Sequence, residues 1–456
     1  MSKPFTPDFL PGKRHISLEA ELHGRTLTTR VRFSRDIRRF FRSNSFALRY
    51  SDEIHAGDGL LSIPGLALLL PVAWLAGANV SVRRLDRTYA RAADSLQRGY
   101  KAMYPGMPCG IRLEVDELVD SPPNPDGAAL LFSGGMDATY SFFANRHLKP
   151  HLLQVYGTEF PCSEKRFLEM LKAESSNFAS RHGVGISFVE TDFRSCVDER
   201  ALYHTFARAS GRPKCTLWNG VGFAMGFLGI AAPFSAGRFN HLLLAAWASS
   251  DRADSMKENP SASSPRMDEK TAWANLRVEH HGCLHRFEKA REMKEWLDDQ
   301  PLRVCWRFDD PLQADGMMNC SCCEKCSRTI VALAVSGVDP SKCGFTIDDE
   351  TIHALWKRIE KRQLMNSHLA MWWEPMQREI PEKLEDDCFG LRDFLEWFRE
   401  FDLVTGEDPK PSPFTLDGMF TRCPYPLALA VRSMIYGVLG EPHWMNRPET
   451  LPPEPE

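Results

Sequence analysis

Residues 128–141 constrain the fold of this chain more than any other stretch of the sequence. The apolar first half predicts a buried strand, Ser133-Gly134-Gly135 predicts a tight turn, and the residues after it predict the start of a helix. At such a junction several backbone N–H groups and the positive end of the helix dipole point into one concavity. Two adjacent glycines leave that concavity open to a ligand. The stretch therefore predicts an anion site suited to phosphate groups.

The side chains of this stretch complete the predicted anion site. Ser133 and Thr139 offer hydroxyl groups. Asp137 would repel a phosphate unless it binds a magnesium ion or caps the start of the helix. The loop differs from that of the P-loop NTPases, because no lysine follows the second glycine. A glycine turn between a strand and a helix, without any ligand, is the alternative interpretation.

From residue 128 onwards, strands and helices are predicted to alternate. The predicted strands are 128–132, 151–156, 185–190 and 241–246, and the predicted helices are 137–146, 164–181, 199–208 and 217–232. This alternation predicts an α/β fold with a parallel sheet and helices on both faces. Ligands of such sheets bind at the carboxyl ends of the strands, so the Ser133 loop and the residues after Tyr156 and Ala246 are expected at one edge.

Changes in pattern along the chain predict three regions. They are an N-terminal α+β domain at 1–125, a central domain at 126–343 that contains the Ser133 loop, and a helical C-terminal region at 344–456. The elements predicted in the two outer regions are strands 14–22, 25–33 and 111–119 and helices 89–104, 348–362, 391–401 and 424–439. The uncharged segment 63–80 predicts a buried helix, broken at Pro71, and a membrane span is the alternative.

The composition is that of a globular protein with mixed surface charge. The chain has 456 residues, with 56 Lys and Arg against 60 Asp and Glu, so the net charge of −4 gives no argument for a nucleic acid partner. It starts with polar residues and Pro4, without the apolar run of a signal peptide. We therefore expect a cytoplasmic protein, without a membrane anchor, whose 13 cysteines serve as thiols or metal ligands.

Five of these cysteines fall within 22 residues and form the second strong feature. Cys305, Cys320, Cys323 and Cys326 have spacings that can close around one tetrahedral zinc ion. Four cysteine ligands leave no open position, so this zinc motif at 305–326 is expected to be structural rather than catalytic. Cys322 could take the place of Cys320 or Cys323 as a ligand. An iron–sulfur cluster and free core cysteines are the alternatives.

Ser133, Gly134, Gly135 and Asp137 make the loop similar to the Ser-Gly-Gly-x-Asp-Ser pyrophosphate loop of the N-type ATP pyrophosphatases (PP-loop proteins). Ala138 stands where that family usually has Ser, and Thr139 is next to it. The loop and the late cysteine cluster together resemble the QueC family, the 7-cyano-7-deazaguanine synthases, over about residues 128–340. The longer chain and the motif around the cysteines look more like divergent QueC-like proteins of bacterial anti-phage operons of the Qat or CBASS type.

The resemblance implies an enzyme that uses ATP and Mg²⁺ and holds zinc with the four cysteines. A carboxylate, that of 7-carboxy-7-deazaguanine in QueC, attacks the α-phosphate of ATP, and an amine then displaces AMP to give an amide or, after a second ATP, a nitrile. The implied catalytic residues are Ser133, Asp137 and Lys289, and the implied nucleotide-binding residues are Ser133, Gly134, Gly135, Met136, Asp137, Ala138, Thr139 and Tyr156. Lys289 could contact a phosphate or a substrate carboxylate, and a surface lysine is the alternative.

In a defence relative the acceptor could be ammonia or the amine of a partner protein encoded in the same operon. The expected partners are thus a 7-deazaguanine-type small molecule and a protein target, with a homodimer also considered. Two other interpretations stay open. One is a tRNA-modifying enzyme with the same fold, and the other is a non-catalytic nucleotide-binding zinc scaffold.

Overall fold

A computed structural model describes residues 14–159, 162–212, 215–247, 263–305, 316–360, 367–384 and 387–403. Its centre is a sheet of ten strands in the order β10-β9-β6-β7-β8-β3-β2-β1-β4-β5. The strands are β1 (His15–His23), β2 (Thr26–Phe33), β3 (Ser45–Tyr50), β4 (Asn79–Asp86), β5 (Leu113–Val119), β6 (Ala128–Leu131), β7 (His151–Tyr156), β8 (Ile186–Thr191), β9 (His241–Ala245) and β10 (Arg277–His281).

The sheet is mostly parallel. β10, β9, β6, β7 and β8 form one parallel group, and β1, β4 and β5 form another. The antiparallel pairs β1–β2, β2–β3 and β3–β8 join the two groups, and the last of these joins Leu48, Arg49 and Tyr50 to residues 189–191. The predicted α/β fold with a parallel sheet is confirmed in this general form. Strands from before and after residue 125 belong to one sheet, and the predicted domain boundaries stay predictions.

The described α-helices lie between and after these strands. They are α1 (Asp58–Ala76), α2 (Arg87–Met103), α3 (Met136–Ala144), α4 (Lys165–Arg181), α5 (Phe193–Cys196), α6 (Glu199–Ser210), α7 (Phe223–Ser235), α8 (Pro265–Asp268), α9 (Arg286–Glu292), α10 (Glu324–Val335), α11 (Asp349–Glu360), α12 (Ser367–Arg378) and α13 (Arg392–Glu400). A π-helical turn, Trp218–Gly222, precedes α7, and short 3₁₀ turns occupy Arg35–Phe40, Arg146–Leu148, Lys294–Trp296, Ser341–Cys343 and Cys388–Gly390. The predicted helix 424–439 lies outside the described residues.

Helix α1 is buried on all sides, because its apolar residues face the sheet and helix α7 at once. Gly229 of α7 sits directly against Ala67, where an added Cβ would come within 2.1 Å of the alanine methyl group. Contrary to expectation, α1 continues through Pro71, because packing on all sides holds the helix together despite the missing N–H. By length and composition alone α1 could cross a membrane, but core helices meet the same criteria. The most apolar stretch of α1 is wholly buried inside the protein.

A second hydrophobic core lies on the opposite face of the central strands from the first core, and Leu130, Leu152 and Leu243 of β6, β7 and β9 contribute to it. It includes the four cysteines of the zinc motif, apolar residues of α3 and α10, and aromatic residues such as Trp373, Phe394 and Phe398 of the C-terminal helices. Phe394 and Phe398 stack with a centroid distance of 5.6 Å. The C-terminal helices therefore share one hydrophobic core with the cysteine cluster.

Candidate functional site

The Ser133 loop is formed where β6 ends and α3 begins. Gly134 has a left-handed backbone (φ +71°), which a residue with a side chain rarely adopts. Gly135 is the N-cap of α3, and a Cβ added there would lie 3.2 Å from the backbone oxygen of Arg303. The two glycines are therefore needed by the turn and by the close approach of a second backbone segment, besides leaving room for a ligand.

Asp137 in the first turn of α3 forms ion pairs with two cations. Lys289 Nζ lies 2.6 Å from Oδ1, and an Arg286 nitrogen lies 3.4 Å from Oδ2. Burial alone would raise the pKa of the Asp137 carboxyl, but the charges of Lys289 and Arg286 hold that pKa well below its ordinary value. The sequence analysis offered a magnesium ion or a capping role for Asp137. In the structure the side chain pairs with these two cations, and its role toward a metal ion stays a prediction.

Lys289 is fully buried in α9 and is not a surface lysine. Its ammonium group donates to Asp137 and also to the backbone oxygen of Ala246, at 2.6 Å, just beyond the end of β9. Arg286, one turn earlier, donates to Thr329 Oγ1 of α10 at 3.1 Å. The ion pair of Asp137 with Lys289 therefore joins α3 to α9. The hydrogen bond from Arg286 joins α9 to α10, the helix that carries Cys326.

A cavity of about 420 Å³ opens in front of the Ser133 loop, at the carboxyl ends of β6, β7 and β9. Its lining includes the apolar and aromatic residues Leu153, Val155, Phe223, Phe227 and Trp247. It also includes three cations, Arg286, Arg303 and Lys325. A cavity lined by aromatic rings and by several cations has the size and chemistry of a small-molecule site.

The three cations of the cavity lining are partly buried, and they repel one another. Desolvation, followed by the charges of Arg286 and Arg303, lowers the pKa of Lys325 to about 8. Desolvation also lowers the pKa of Arg303 to about 10. Three cations around one cavity, with only Asp137 and Glu159 as carboxylates among its described lining, make a site whose field favours a multiply charged anion.

The predicted nucleotide-binding residues divide between two sides of the loop. Six of them line the cavity: Ser133, Gly135, Met136, Asp137, Ala138 and Tyr156. Gly134 and Thr139 instead line a small cleft behind the loop, which Ser133 also borders. Thr139 is buried and does not line the larger cavity, whereas Ala138 does. The Tyr156 hydroxyl donates to Gln154 Oε1 at 2.8 Å.

The four predicted zinc ligands converge. The sulfur atoms of Cys305, Cys320, Cys323 and Cys326 all lie within 4.8 Å of one another, and all four residues are buried. Cys305 Sγ lies 3.5 Å from Cys320 Sγ and 3.9 Å from Cys323 Sγ. A tetrahedral ion with Zn–S bonds of about 2.3 Å separates its sulfurs by about 3.8 Å, so the cluster fits zinc. Cys322 is partly exposed and lies outside this group.

Two backbone N–H groups of the turn donate hydrogen bonds to cysteine sulfur atoms. Cys323 N donates to Cys320 Sγ at 3.2 Å, and Cys326 N donates to Cys323 Sγ at 3.5 Å. Such N–H···S bonds stabilise the negative charge of bound thiolates and orient them. Cys323 is also the N-cap of α10, so the start of that helix and the cluster are formed by the same residues.

Asn319 connects the cysteine cluster to the Ser133 loop. Its side-chain oxygen accepts from Val304 N (3.0 Å) and Cys305 N (3.2 Å), and its amide donates to Leu302 O (2.6 Å) and Gly344 O (3.1 Å). The segment that it holds also contains Arg303, whose N–H donates to Gly134 O at 2.8 Å. The Ser133 loop therefore rests on a segment that ends in Cys305, one of the four clustered cysteines.

Replacing Asn319 by Leu should destabilise the protein by about 3 kcal/mol, because it leaves several buried backbone groups without partners. Chemical denaturation measures this loss. Asn240→Leu is the control, because the Asn240 amide bonds an exposed side chain, that of Asp126. Equal losses in the two variants would show that Asn319 has no special role.

The sequence interpretation missed Arg303, Lys325, Glu159 and Asn219 in the cavity wall. Arg303 lies two residues before Cys305 and Lys325 lies next to Cys326, and this proximity to the cysteine cluster was the only signal in the sequence. Glu159 accepts a hydrogen bond from Trp218 Nε1 at 2.8 Å, and Asn219 follows in the π-helical turn. Helical periodicity does not reveal a π-turn, although such turns often occur at functional sites.

Comparison with known proteins adds no relative. No family model matches the chain, and no match was found among curated proteins or solved structures. The resemblance to the QueC family therefore stays a prediction that depends on the residues quoted above.

Proposed function

We propose that this protein binds ATP at the Ser133 loop and adenylates a carboxylate, that of 7-carboxy-7-deazaguanine or a close relative, as a QueC-like PP-loop ligase. One observation carries the proposal. The glycine loop and the N-terminus of α3 open onto a cavity lined by three partly buried cations and by aromatic side chains. Backbone N–H groups with nearby cations suit a triphosphate, and the aromatic side chains suit a purine-type ring.

The cofactors fit the residues that are present. Backbone N–H groups of the loop would bind the phosphates, with Arg286, Arg303 and Lys325 balancing their charge. Mg²⁺ is usually held by phosphate oxygens, water and one or two carboxylates, and Asp137 and Glu159 are the carboxylates of the described cavity lining. The Asp137 pair with Lys289 keeps the carboxylate ionised and oriented, so Lys289 is a positioning residue in this proposal.

In the proposed reaction the substrate carboxylate attacks the α-phosphate and pyrophosphate leaves. The resulting acyl adenylate is an activated anhydride, and an acceptor amine forms an amide while AMP leaves. The protein contributes by holding both substrates in the cavity and by stabilising the charge that develops on phosphate oxygens. Following the family resemblance, we favour the amine of a protein encoded with this chain over ammonia. The zinc ion would only hold the loop segment in place.

The test is to incubate the purified protein with ATP, Mg²⁺ and 7-carboxy-7-deazaguanine and to measure AMP by chromatography and proteins by intact mass. We expect AMP that depends on the deazaguanine and a mass gain on a partner protein. Replacing Lys325 by Met should lower kcat/KM for ATP about 100-fold, because one partly buried cation of the proposed phosphate site is lost.

Lys342→Met is the matched control, because that lysine is exposed and pairs with Asp298 away from the cavity. Nitrile formation with unchanged partner mass would select ammonia as the acceptor. If no AMP forms with any substrate and partner, the proposal is wrong and the non-catalytic scaffold is the better interpretation.

A further inference from the structure

Six arginines lie close together at and after the end of β2, outside the residues used above. The segment 30–42 contains them together with one acidic residue, Asp36, and all six are exposed. Positive charge is therefore concentrated here, although the whole chain has a net charge of −4. We call this group the arginine surface, and its members are Arg30, Arg32, Arg35, Arg38, Arg39 and Arg42.

Local structure holds the arginine surface in place. Alternation along β2 buries Val31 and leaves the arginines on either side of it exposed. In the 3₁₀ turn that follows, Ile37 and Phe40 are buried and the arginines lie outside. The chain then joins the segment after β8, where Arg42 N donates to Cys196 O at 2.8 Å. Because the backbone is held at both ends, the surface is formed before a partner binds.

The arginine surface lies at the same edge of the sheet as the cavity. β2 is antiparallel to β3, and β3 is antiparallel to β8, so β2 runs in the same direction as β7 and β8. The 3₁₀ turn follows the carboxyl end of β2 and is therefore on the edge where the cavity opens. Only β8 and β3 separate β7 from β2, which corresponds to about 14 Å at the usual strand spacing.

A series of contacts connects the arginine surface to the cavity. Asp198 lies 3.5 Å from Arg42 and forms an ion pair with it. Four residues earlier, the guanidinium carbon of Arg194 lies 5.1 Å from the ring centroid of Trp218. The Trp218 ring nitrogen donates to Glu159, which lines the cavity. A partner that binds the arginine surface is therefore held beside the cavity entrance.

The aromatic rings of this segment argue against a nucleic acid partner. Proteins that bind single-stranded nucleic acid stack the bases on exposed aromatic rings. Here the rings pack within the protein, because Phe33 stacks on Phe41 with a centroid distance of 4.2 Å and Phe40 is 2% exposed. The arginine surface therefore offers charge without a platform for bases.

Carboxylates of this chain already lie among the arginines. Glu21 lies 2.7 Å from Arg30, Asp198 pairs with Arg42, and Asp36 belongs to the 3₁₀ turn. Negative charges at these places repel a continuous phosphate backbone. Arginine binds carboxylates in a planar, two-point geometry, and the separate side chains of an acidic peptide can pair with individual guanidinium groups. The charge pattern therefore favours an acidic protein segment.

We propose that the arginine surface binds an acidic segment of the acceptor protein, so that a nearby amine of that protein enters the cavity. This inference rests on the proposed function and names the chemistry of its protein substrate. An extended peptide spans about 3.4 Å per residue, so about five residues bridge the distance of about 14 Å from β2 to β7. The acceptor amine is therefore expected about five residues from a run of Asp and Glu.

The first experiment measures binding without ATP. The probe is a synthetic peptide with a free amino terminus, a short Gly-Ser linker, a run of Glu residues and fluorescein at its carboxyl end. Fluorescence anisotropy should show that it binds the full-length protein at low salt and dissociates at high salt, because exposed charges are screened. Arg35→Glu/Arg38→Glu should weaken binding about tenfold.

Arg91→Glu/Arg98→Glu is the matched control for this double variant. It makes the same change of charge at exposed residues of α2, which packs against β4 and β5, and it should leave the affinity nearly unchanged. The same peptide with Gln in place of Glu should not bind. Equal losses in the two double variants, or tighter binding of a thymidine oligonucleotide than of the Glu peptide, would overturn the docking surface.

The second experiment adds ATP, Mg²⁺ and 7-carboxy-7-deazaguanine and measures AMP and the mass of the unlabelled peptides. The Glu peptide should have a KM about tenfold below that of the Gln peptide with a similar kcat, and Arg35→Glu/Arg38→Glu should remove this difference. Equal KM values for the two peptides would overturn the docking surface and leave the proposed function standing. Absence of AMP would contradict the proposed function, and the anisotropy measurement then decides the docking surface by itself.

Discussion

Replacing Asp137 by Asn is expected to destabilise the protein by about 3–5 kcal/mol and to abolish ATP turnover. The variant leaves the Lys289 ammonium, which is 1% exposed, without its charged partner, and an uncompensated buried charge is costly. Lys289→Met removes the other partner. The carboxylate then keeps Arg286 nearby and is 19% exposed, so this variant should lose less stability. Denaturant titration measures both losses.

The double variant D137N/K289M should be more stable than D137N alone, because no unpaired charge is then buried. The matched control is Asp298→Asn. Asp298 pairs with Lys342 at the same 2.6 Å, but these side chains are 67% and 47% exposed, so its removal should have no measurable effect. If the losses of the two single variants simply add in the double variant, Asp137 and Lys289 do not act as a pair.

Loss of the zinc ion that we expect at the four cysteines is the second prediction with a large effect. We expect one zinc ion per chain by metal analysis, and Cys320→Ser should release it. Structural zinc contributes on the order of 10 kcal/mol to the folding of small sites, so the second core should open and the melting temperature should fall steeply. A strong chelator should have the same effect on the unaltered protein. Loss of ATP-dependent AMP release is expected to accompany it.

Cys322→Ser is the control for the zinc prediction, since Cys322 lies in the same turn and outside the four-cysteine group. It should keep its zinc and its melting temperature. Zinc loss in C322S with retention in C320S would show that Cys322 takes the place of Cys320 as a ligand. The spacing of the cysteines in the sequence permits either one. Iron with inorganic sulfide in the purified protein would instead favour the cluster alternative.

Local patterns were sufficient where one segment determines its own structure. The apolar run 151–156 predicted β7 with the observed bounds, because it is bounded by Pro150 and Gly157. The same method gave the cysteine cluster, because its spacing is local. It placed the end of α1 too late, since the apolar run continues past Gly77. That glycine ends the helix in a left-handed conformation, and β4 begins two residues later.

The rest of the site depends on pairs that are distant in sequence. Lys289 meets Asp137 across 152 positions, and no local rule predicts that contact. The sequence analysis did not predict strand β10, because all of its residues except Val278 are charged residues or histidines, which are typical of a solvated segment. His280 is nevertheless buried against Asp268, and this contact becomes visible only when β10 is paired with β9.

The three-residue pairing of β3 with β8 has a consequence for work with fragments. A chain that started at residue 126 would keep the loop, the cavity and the cysteines, yet the outer edge of β8 would carry unpaired N–H and C=O groups. Such an edge is a template for another chain, so the fragment would tend to self-associate. The N-terminal strands therefore act as a built-in cover that keeps the sheet from growing.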